Sequence, residues 1–203
     1  MNIANKLTVL RMLLIPVFLF FFRAWPTETA GVARLTGISP ETSRWLAIWV
    51  FAIAASTDFL DGYLARKLNL VTNFGKFLDP VADKMLVTAA LIAMIPILDF
   101  PAWAVIIIVG RDIMISSFRM IASSENVVIA ADMAGKIKTV LQMVMIIYLM
   151  WFDLWMRGQP LATDNLYFSM LATLLLLAVV VLTLWSAVSY LIKNRQVLKL
   201  NNM

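Results

Sequence analysis

Long apolar stretches separated by short polar ones constrain this chain more than any other feature of its sequence. Six of them occur, at about 7–25, 43–65, 78–98, 101–122, 133–156 and 166–192. A helix of about 20 residues crosses roughly 30 Å of hydrocarbon. The chain is 62% hydrophobic and 14% charged, far more apolar than soluble domains. The sequence therefore predicts an all-α integral membrane protein with six transmembrane helices. We expect one domain over residues 1–203, with a juxtamembrane amphipathic start at about 1–8.

The distribution of lysine and arginine predicts the orientation of these spans. If the N-terminus is cytoplasmic, 13 of the 17 basic residues fall on the cytoplasmic side. Cytoplasmic loops of membrane proteins carry such an excess, so both termini are expected in the cytoplasm. The net charge of +5 could suggest a nucleic-acid partner. Because the basic residues are dispersed between apolar stretches, anionic lipid explains them better, and no nucleic acid is expected.

Two residue types that often carry chemistry are missing from the sequence. The chain has no cysteine and no histidine. Disulfides, thiolate or imidazole metal ligands and the usual neutral-pH base are therefore excluded. Any metal chemistry has to use oxygen ligands, chiefly carboxylates.

Four aspartates lie where the cytoplasmic ends of the second and third spans are expected: Asp58, Asp61, Asp79 and Asp83. Carboxylates at membrane depth are costly and need compensating cations. The first two are i, i+3 neighbours on a helix and the last two are i, i+4 neighbours, so each pair projects from one face. Two facing helices would bring the four carboxylates together. Such a cluster suits Mg²⁺ or Mn²⁺, and it could hold two ions that bridge a diphosphate.

The neighbours of the first acidic pair suit a nucleotide diphosphate. Gly62 and Ala65 continue the face of Asp58, and their small size would let a diphosphate approach the backbone. Arg66 offers a planar fork for phosphate oxygens. Gly75 is expected in a short loop that returns the chain to the third span.

A second, basic group falls in the fourth and fifth spans. Its candidate residues are Arg111, Arg119, Lys136 and Lys138, with Asp112 placed to neutralise a neighbour. An acceptor that carries its own phosphate would need such cations, whereas an uncharged alcohol would not. The two lysines point about 200° apart on a helix, so only one is expected to face a common cavity, and the sequence does not decide which.

These residues resemble a known family. The pattern Asp58-x2-Asp61-Gly62-x2-Ala65-Arg66-x8-Gly75-x3-Asp79-x3-Asp83 matches the signature of the CDP-alcohol phosphotransferase family at every fixed position. Further segments, at 5–16, 76–84 and 135–139, are similar to the bacterial phosphatidylglycerophosphate synthases of that family. Ala4 departs from the pattern, since those enzymes often have proline there, which concerns only how the first helix begins.

The resemblance implies a six-helix homodimer in the bacterial cell membrane, with the active-site cavity open to the cytoplasm. It implies that Asp58, Asp61 and Asp79 ligate metal and that Asp83 is the general base close to the second ion. Residues bordering the CDP group would be Asp61, Gly62, Ala65, Arg66 and Gly75. The implied reaction transfers the phosphatidyl group from CDP-diacylglycerol to glycerol 3-phosphate and releases CMP.

Three other functions are compatible with parts of this sequence pattern. The same donor could serve another acceptor, such as inositol phosphate, serine or phosphatidylglycerol. Intramembrane prenyltransferases also bind diphosphates through aspartates and Mg²⁺, but they are expected to carry two separated acidic motifs, and this chain has one compact motif. A cation channel or transporter would leave Gly62, Ala65 and Arg66 without a role.

Overall fold

Six α-helices make up the described part of the chain. The computed structural model describes residues 3–23, 37–68, 73–124, 133–156 and 166–194; at some of these positions, among them 3–7, 58–68, 73–80 and Asp83, it describes the backbone but not the side chains. The helices are α1 (Ile3–Arg23), α2 (Pro40–Leu68), α3 (Asn73–Leu98), α4 (Ala102–Ser124), α5 (Met133–Met156) and α6 (Leu166–Asn194). Each predicted span coincides approximately with one helix, so the prediction of an all-α architecture with six long helices is confirmed for the described residues.

The helices fall into two compact units. One contains α1, α2, α3 and the part of α5 from Ile146 onwards, and the other contains α4, the part of α5 up to Met145, and α6. The acidic motif therefore belongs to the first unit. The basic group belongs to the second.

In the first unit, α1 packs against both α2 and α3 through one regular stripe. The buried positions of this stripe are Thr8, Arg11, Ile15, Phe18 and Phe22. Their alternating spacing of three and four residues places them on one side of the helix. The stripe predicts a helix that buries one face and leaves the other uncovered, and exposed Leu13 and Phe20 lie on that other face.

Two contacts show that α1 and α2 run antiparallel. The rings of Phe18 and Phe51 have centroids 5.6 Å apart. Three residues further along α1, the carbonyl of Phe21 accepts a hydrogen bond of 2.9 Å from the hydroxyl of Ser43, which lies earlier on α2. As the chain advances along α1 the contacts therefore move backwards along α2.

Local signals fix the start of α2. Ser39 precedes the helix, and its hydroxyl accepts a hydrogen bond of 3.2 Å from the backbone N–H of Thr42. Pro40 occupies the first helical position, where its missing N–H is not needed, and Glu41 places a negative charge at the positive end of the helix. These residues begin α2 before the apolar stretch itself starts.

The segment from Leu98 to Pro101 forms the tight turn that its sequence predicts. Asp99 has φ 52°, in the left-handed region that aspartate enters more readily than most residues. The carbonyl of Pro101 then accepts a hydrogen bond of 3.0 Å from the N–H of Ala104 as α4 begins. A turn of this length ends one helix and starts the next without an intervening loop.

Two helices contain stretches that could cross a bilayer by length and composition, Gly135–Phe152 in α5 and Ser169–Asn194 in α6. Only 39% of the first stretch and 33% of the second is buried in the protein. A helix in the core of a soluble domain would be mostly covered. Shorter apolar segments occur at Thr8–Phe22 and Lys84–Pro96, and the full set of six spans stays a prediction.

Candidate functional site

The four aspartates of the sequence motif lie on two contacting helices of the first unit. Asp58 and Asp61 are on α2, and Asp79 and Asp83 are on α3. Because the backbone is helical through both segments, the i, i+3 and i, i+4 spacings place each pair on one face of its helix. The side chains lie outside the described residues, so the convergence of the carboxylates remains a prediction.

The residues expected near the nucleotide are also helical in backbone. Gly62, Ala65 and Arg66 continue α2, which ends at Leu68. Gly75 does not lie in a loop as the sequence suggested, because α3 begins at Asn73 and includes it in its first turn. Helix formation on both sides leaves only residues 69–72 between α2 and α3. The side chains of Ala65 and Arg66 are not described.

The donor set fits a divalent metal in its chemistry. Among the side chains that the structure describes, no group of three acidic residues could hold a metal ion. The four aspartates of α2 and α3, whose side chains lie outside that search, stay the predicted metal ligands. Their oxygen ligands are those that Mg²⁺ and Mn²⁺ prefer.

A buried arginine accompanies the acidic motif, and sequence reasoning had given it no role. Arg11 is 0% exposed on α1, and it is the largest fully buried side chain described. It lies seven residues before Phe18, while Asp58 lies seven residues after Phe51. Since Phe18 and Phe51 are in contact between antiparallel helices, Arg11 and Asp58 lie at about the same level. The buried stripe on α1 was the signal that could have identified this cation.

In the second unit, Asp112 joins two of the predicted cations. Its carboxylate accepts hydrogen bonds of 2.8 and 2.6 Å from the ammonium group of Lys138. The guanidinium of Arg111 lies 3.2 Å from the same carboxylate and donates a second hydrogen bond, of 2.6 Å, to the hydroxyl of Ser186. The prediction that Asp112 neutralises a neighbouring cation is confirmed, and it does so for two.

The two predicted lysines of α5 lie in different environments. The side chain of Lys138 is 1% exposed, and its ammonium group is held by Asp112, so it is not a snorkelling surface residue. Lys136 is exposed. The predicted opposite directions of the two side chains are confirmed.

Arg119 has a different kind of partner from Arg111 and Lys138. Its guanidinium carbon lies 5.7 Å from the centroid of the Tyr190 ring. In the described part of the second unit it has no carboxylate partner, and its buried Nε has no hydrogen-bond acceptor. Among the described side chains, Arg119 is therefore packed on a ring and not paired with an acidic residue.

Helix α6 supplies the partners of both arginines, which the sequence did not reveal. Arg111 contacts Ser186 and, further along α4, Arg119 contacts Tyr190. The later residue on α4 contacts the later residue on α6, so α4 and α6 run parallel. Thr183, Ser186 and Tyr190 are all buried and spaced by three and four residues. This stripe of hydroxyl groups on an otherwise apolar helix was the available signal.

The chain is similar over nearly its whole length to known proteins. Residues 1–185 match the family described as CDP-alcohol phosphatidyltransferase. The CDP-diacylglycerol–glycerol-3-phosphate 3-phosphatidyltransferase of Bacillus subtilis is 41% identical over 209 residues, which cover 99% of each chain. Enzymes of that name from Mycoplasma genitalium and Escherichia coli K12 are each 34% identical, over 99% and 94% of this chain and 87% and 93% of their own. The chain therefore belongs to the CDP-alcohol phosphatidyltransferase family.

Proposed function

We propose that this protein transfers the phosphatidyl group of CDP-diacylglycerol to glycerol 3-phosphate, giving phosphatidylglycerophosphate and CMP. The observation that carries the proposal is the nearly full-length similarity, at 34% to 41% identity, to enzymes named for this reaction. The signature on α2 and α3 supports the donor, and the cations of α4 and α5 support an acceptor that bears a phosphate.

The reaction assigns a task to each acidic residue. A hydroxyl oxygen of the acceptor bonds to the phosphorus that carries diacylglycerol, and the bond from that phosphorus to the bridging diphosphate oxygen breaks, so CMP leaves. Asp83 takes the proton of the attacking hydroxyl. Asp58, Asp61 and Asp79, together with Asp83, would hold two Mg²⁺ or Mn²⁺ ions. Bound there, such ions would neutralise the diphosphate and polarise its phosphorus–oxygen bonds.

The donor side of the site is proposed from the family resemblance together with the helical spacing. Gly62 and Ala65 lie one and two turns after Asp58 on α2, so their small side chains would border the CDP group. Arg66 and Asp61 are proposed to contact the same group. Gly75, in the first turn of α3, would lie beside it.

The acceptor phosphate is proposed to bind chiefly at Arg119 and Lys136. A dianion entering a partly dehydrated pocket needs charge-assisted donors. Arg119 has no carboxylate partner in the described part of the chain, and Lys136 is exposed. Arg111 and Lys138 already share Asp112, and Lys138 points away from Lys136, so these two are proposed to support the pocket rather than to bind the phosphate.

The protein is proposed to be a multi-pass protein of the bacterial cell membrane, active as a homodimer with the cavity and both termini in the cytoplasm. Exposed apolar side chains along α5 and α6 support the membrane location, among them Val140, Leu174, Val181 and Trp185. Their exposure in water would be unfavourable over so long a surface, whereas lipid would cover it.

Purified protein supplied with CDP-diacylglycerol and a panel of acceptors would test the proposal through CMP release. The panel contains glycerol 3-phosphate, inositol phosphate, serine, phosphatidylglycerol and unphosphorylated glycerol. We expect rapid release only with glycerol 3-phosphate. Preference for another acceptor would overturn the assignment of glycerol 3-phosphate as acceptor but not that of CDP-diacylglycerol as donor. No CMP release with any acceptor would overturn both assignments.

A further inference from the structure

Three cations of the second unit have two different kinds of partner. Lys138 and Arg111 share the carboxylate of Asp112, at 2.6 to 3.2 Å. Arg119 instead lies against the ring of Tyr190, which is 1% exposed. A carboxylate and an aromatic ring affect the positive charge of a bound cation differently, and this difference matters for the binding of an anionic ligand.

An aromatic ring stabilises a cation through its quadrupole, without carrying a net charge. A carboxylate cancels the charge of the cation and competes with any incoming anion for its donors. A guanidinium that packs on a ring therefore stays fully positive, and its N–H groups point outward from its edge. Arg119 lies over such a ring, and its buried Nε has no acceptor among the described residues.

We propose that Tyr190 is a positioning residue for acceptor recognition: its ring fixes the guanidinium of Arg119 in the orientation that binds the acceptor phosphate, while leaving its charge available. This inference rests on the proposed function. Tyr190 acts through Arg119 and does not itself touch the substrate. Its hydroxyl is buried and has no hydrogen-bond partner among the described residues, so the ring and not the hydroxyl carries the role.

The neighbouring contact on α6 supports this assignment. One turn before Tyr190, Ser186 accepts a hydrogen bond from Arg111, so the same face of α6 contacts both arginines of α4. Ser186 is 0% exposed. Two buried side chains on one rigid helix thus constrain two arginines that would otherwise be free to adopt many rotamers.

The test compares Tyr190→Leu, which removes the ring, with Tyr190→Phe, which restores it without the hydroxyl. Loss of a cation–π contact of ordinary strength should raise KM for glycerol 3-phosphate about 3- to 30-fold in Tyr190→Leu. KM for CDP-diacylglycerol should change less than about twofold, and Tyr190→Phe should bring KM for the acceptor back close to that of the unaltered protein. Phe152→Leu is the matched control, since this ring is equally buried and packs on Tyr148 in the first unit.

Combining Tyr190→Leu with Arg119→Ala separates positioning from general destabilisation. If the ring acts through Arg119, the double variant should be no worse than Arg119→Ala alone. Additive losses, or equal increases in KM for both substrates as in a merely unstable protein, would overturn the proposal. So would a Tyr190→Phe variant as impaired as Tyr190→Leu, because the hydroxyl would then contact the acceptor. Failure of the unaltered protein to use glycerol 3-phosphate would instead reject the proposed function.

Discussion

The ammonium group of Lys138 lies within 2.8 Å of both carboxylate oxygens of Asp112, although the two residues belong to different helices and are 26 positions apart. This ion pair joins the start of α5 to the middle of α4. Because the lysine side chain is 1% exposed, its charge has little contact with solvent and depends on the aspartate. The pair is therefore part of the scaffold that holds the proposed acceptor site.

Removing Asp112 should destabilise the protein strongly. In Asp112→Ala the buried ammonium group of Lys138 loses the carboxylate that it contacts at 2.6 Å, and breaking a buried ion pair typically costs about 3–5 kcal/mol. Thermal unfolding in detergent would measure the loss. The double variant Asp112→Leu with Lys138→Met should be more stable than Asp112→Ala, since it removes the buried ammonium group together with the carboxylate and leaves only Arg111, which keeps its hydrogen bond to Ser186. A double variant that is less stable than Asp112→Ala would show that the ion pair is not what the site requires.

Activity should depend on a divalent metal ion. Without cysteine or histidine, the chain can bind such an ion only through oxygen, and the acidic motif supplies four carboxylates. EDTA should abolish CMP release, and Mg²⁺ or Mn²⁺ should restore it. Full turnover in excess chelator would contradict the two-metal proposal.

Asp83→Asn should lower kcat by a factor of about 10²–10⁴, because an amide cannot accept the proton of the attacking hydroxyl. The matched variant Asp58→Asn should mainly weaken metal and CDP-diacylglycerol binding. Initial rates at varied metal and donor concentrations would distinguish the two effects. Near-normal turnover of Asp83→Asn would assign the base to another group.

Arg119→Ala should raise KM for glycerol 3-phosphate by a factor of roughly 10–150, the effect of losing one charge-assisted hydrogen bond of about 1.5–3 kcal/mol. Lys136→Ala should also raise KM for glycerol 3-phosphate. Lys138→Ala should in addition lower the unfolding temperature, because it removes the ion pair with Asp112. KM for CDP-diacylglycerol is the internal control. An equal rise in KM for both substrates would place Arg119 at the donor diphosphate or in the scaffold.

Arg11→Leu should make the stability of the protein depend on metal. Arg11 is buried on α1 at about the level of Asp58, so we expect its charge to offset the carboxylates when no metal ion is bound. Unfolding temperatures should therefore fall much further in EDTA than in Mg²⁺. Arg44→Leu, which removes a buried arginine near the start of α2, should lower stability equally in both media. Equal sensitivity of the two variants would mean that Arg11 has no special relation to the acidic motif.

The sequence predicted the helices well because each apolar stretch is long and is bounded by clear signals. The predicted start of α5, at residue 133, agrees with the structure, and Leu98 ends α3 as expected. Gly75 was assigned to a loop because glycine favours turns, yet helix continuation on both sides placed it in α3. The opposite directions of Lys136 and Lys138 followed from helical geometry alone.

The partners of the cations could not be predicted in the same way. Whether Lys138 or Lys136 is buried depends on where α5 contacts α4, which periodicity does not specify when both lysines flank an apolar stretch. Tyr190 and Arg119 are far apart in the sequence, and either could have faced lipid or solvent. Only the parallel packing of α4 and α6 brings the ring against the guanidinium.

The contact between Arg111 and Ser186 joins residues 75 positions apart, and this separation has a consequence for biogenesis. During translation, α1, α2 and α3 are complete within the first 98 residues and can pack on one another early. The α6 partners of the two α4 arginines are synthesised only when nearly the whole chain has been translated. The donor motif is thus synthesised well before the residues that orient the arginines, and a chain truncated before residue 186 would lack the α6 partners of both α4 arginines.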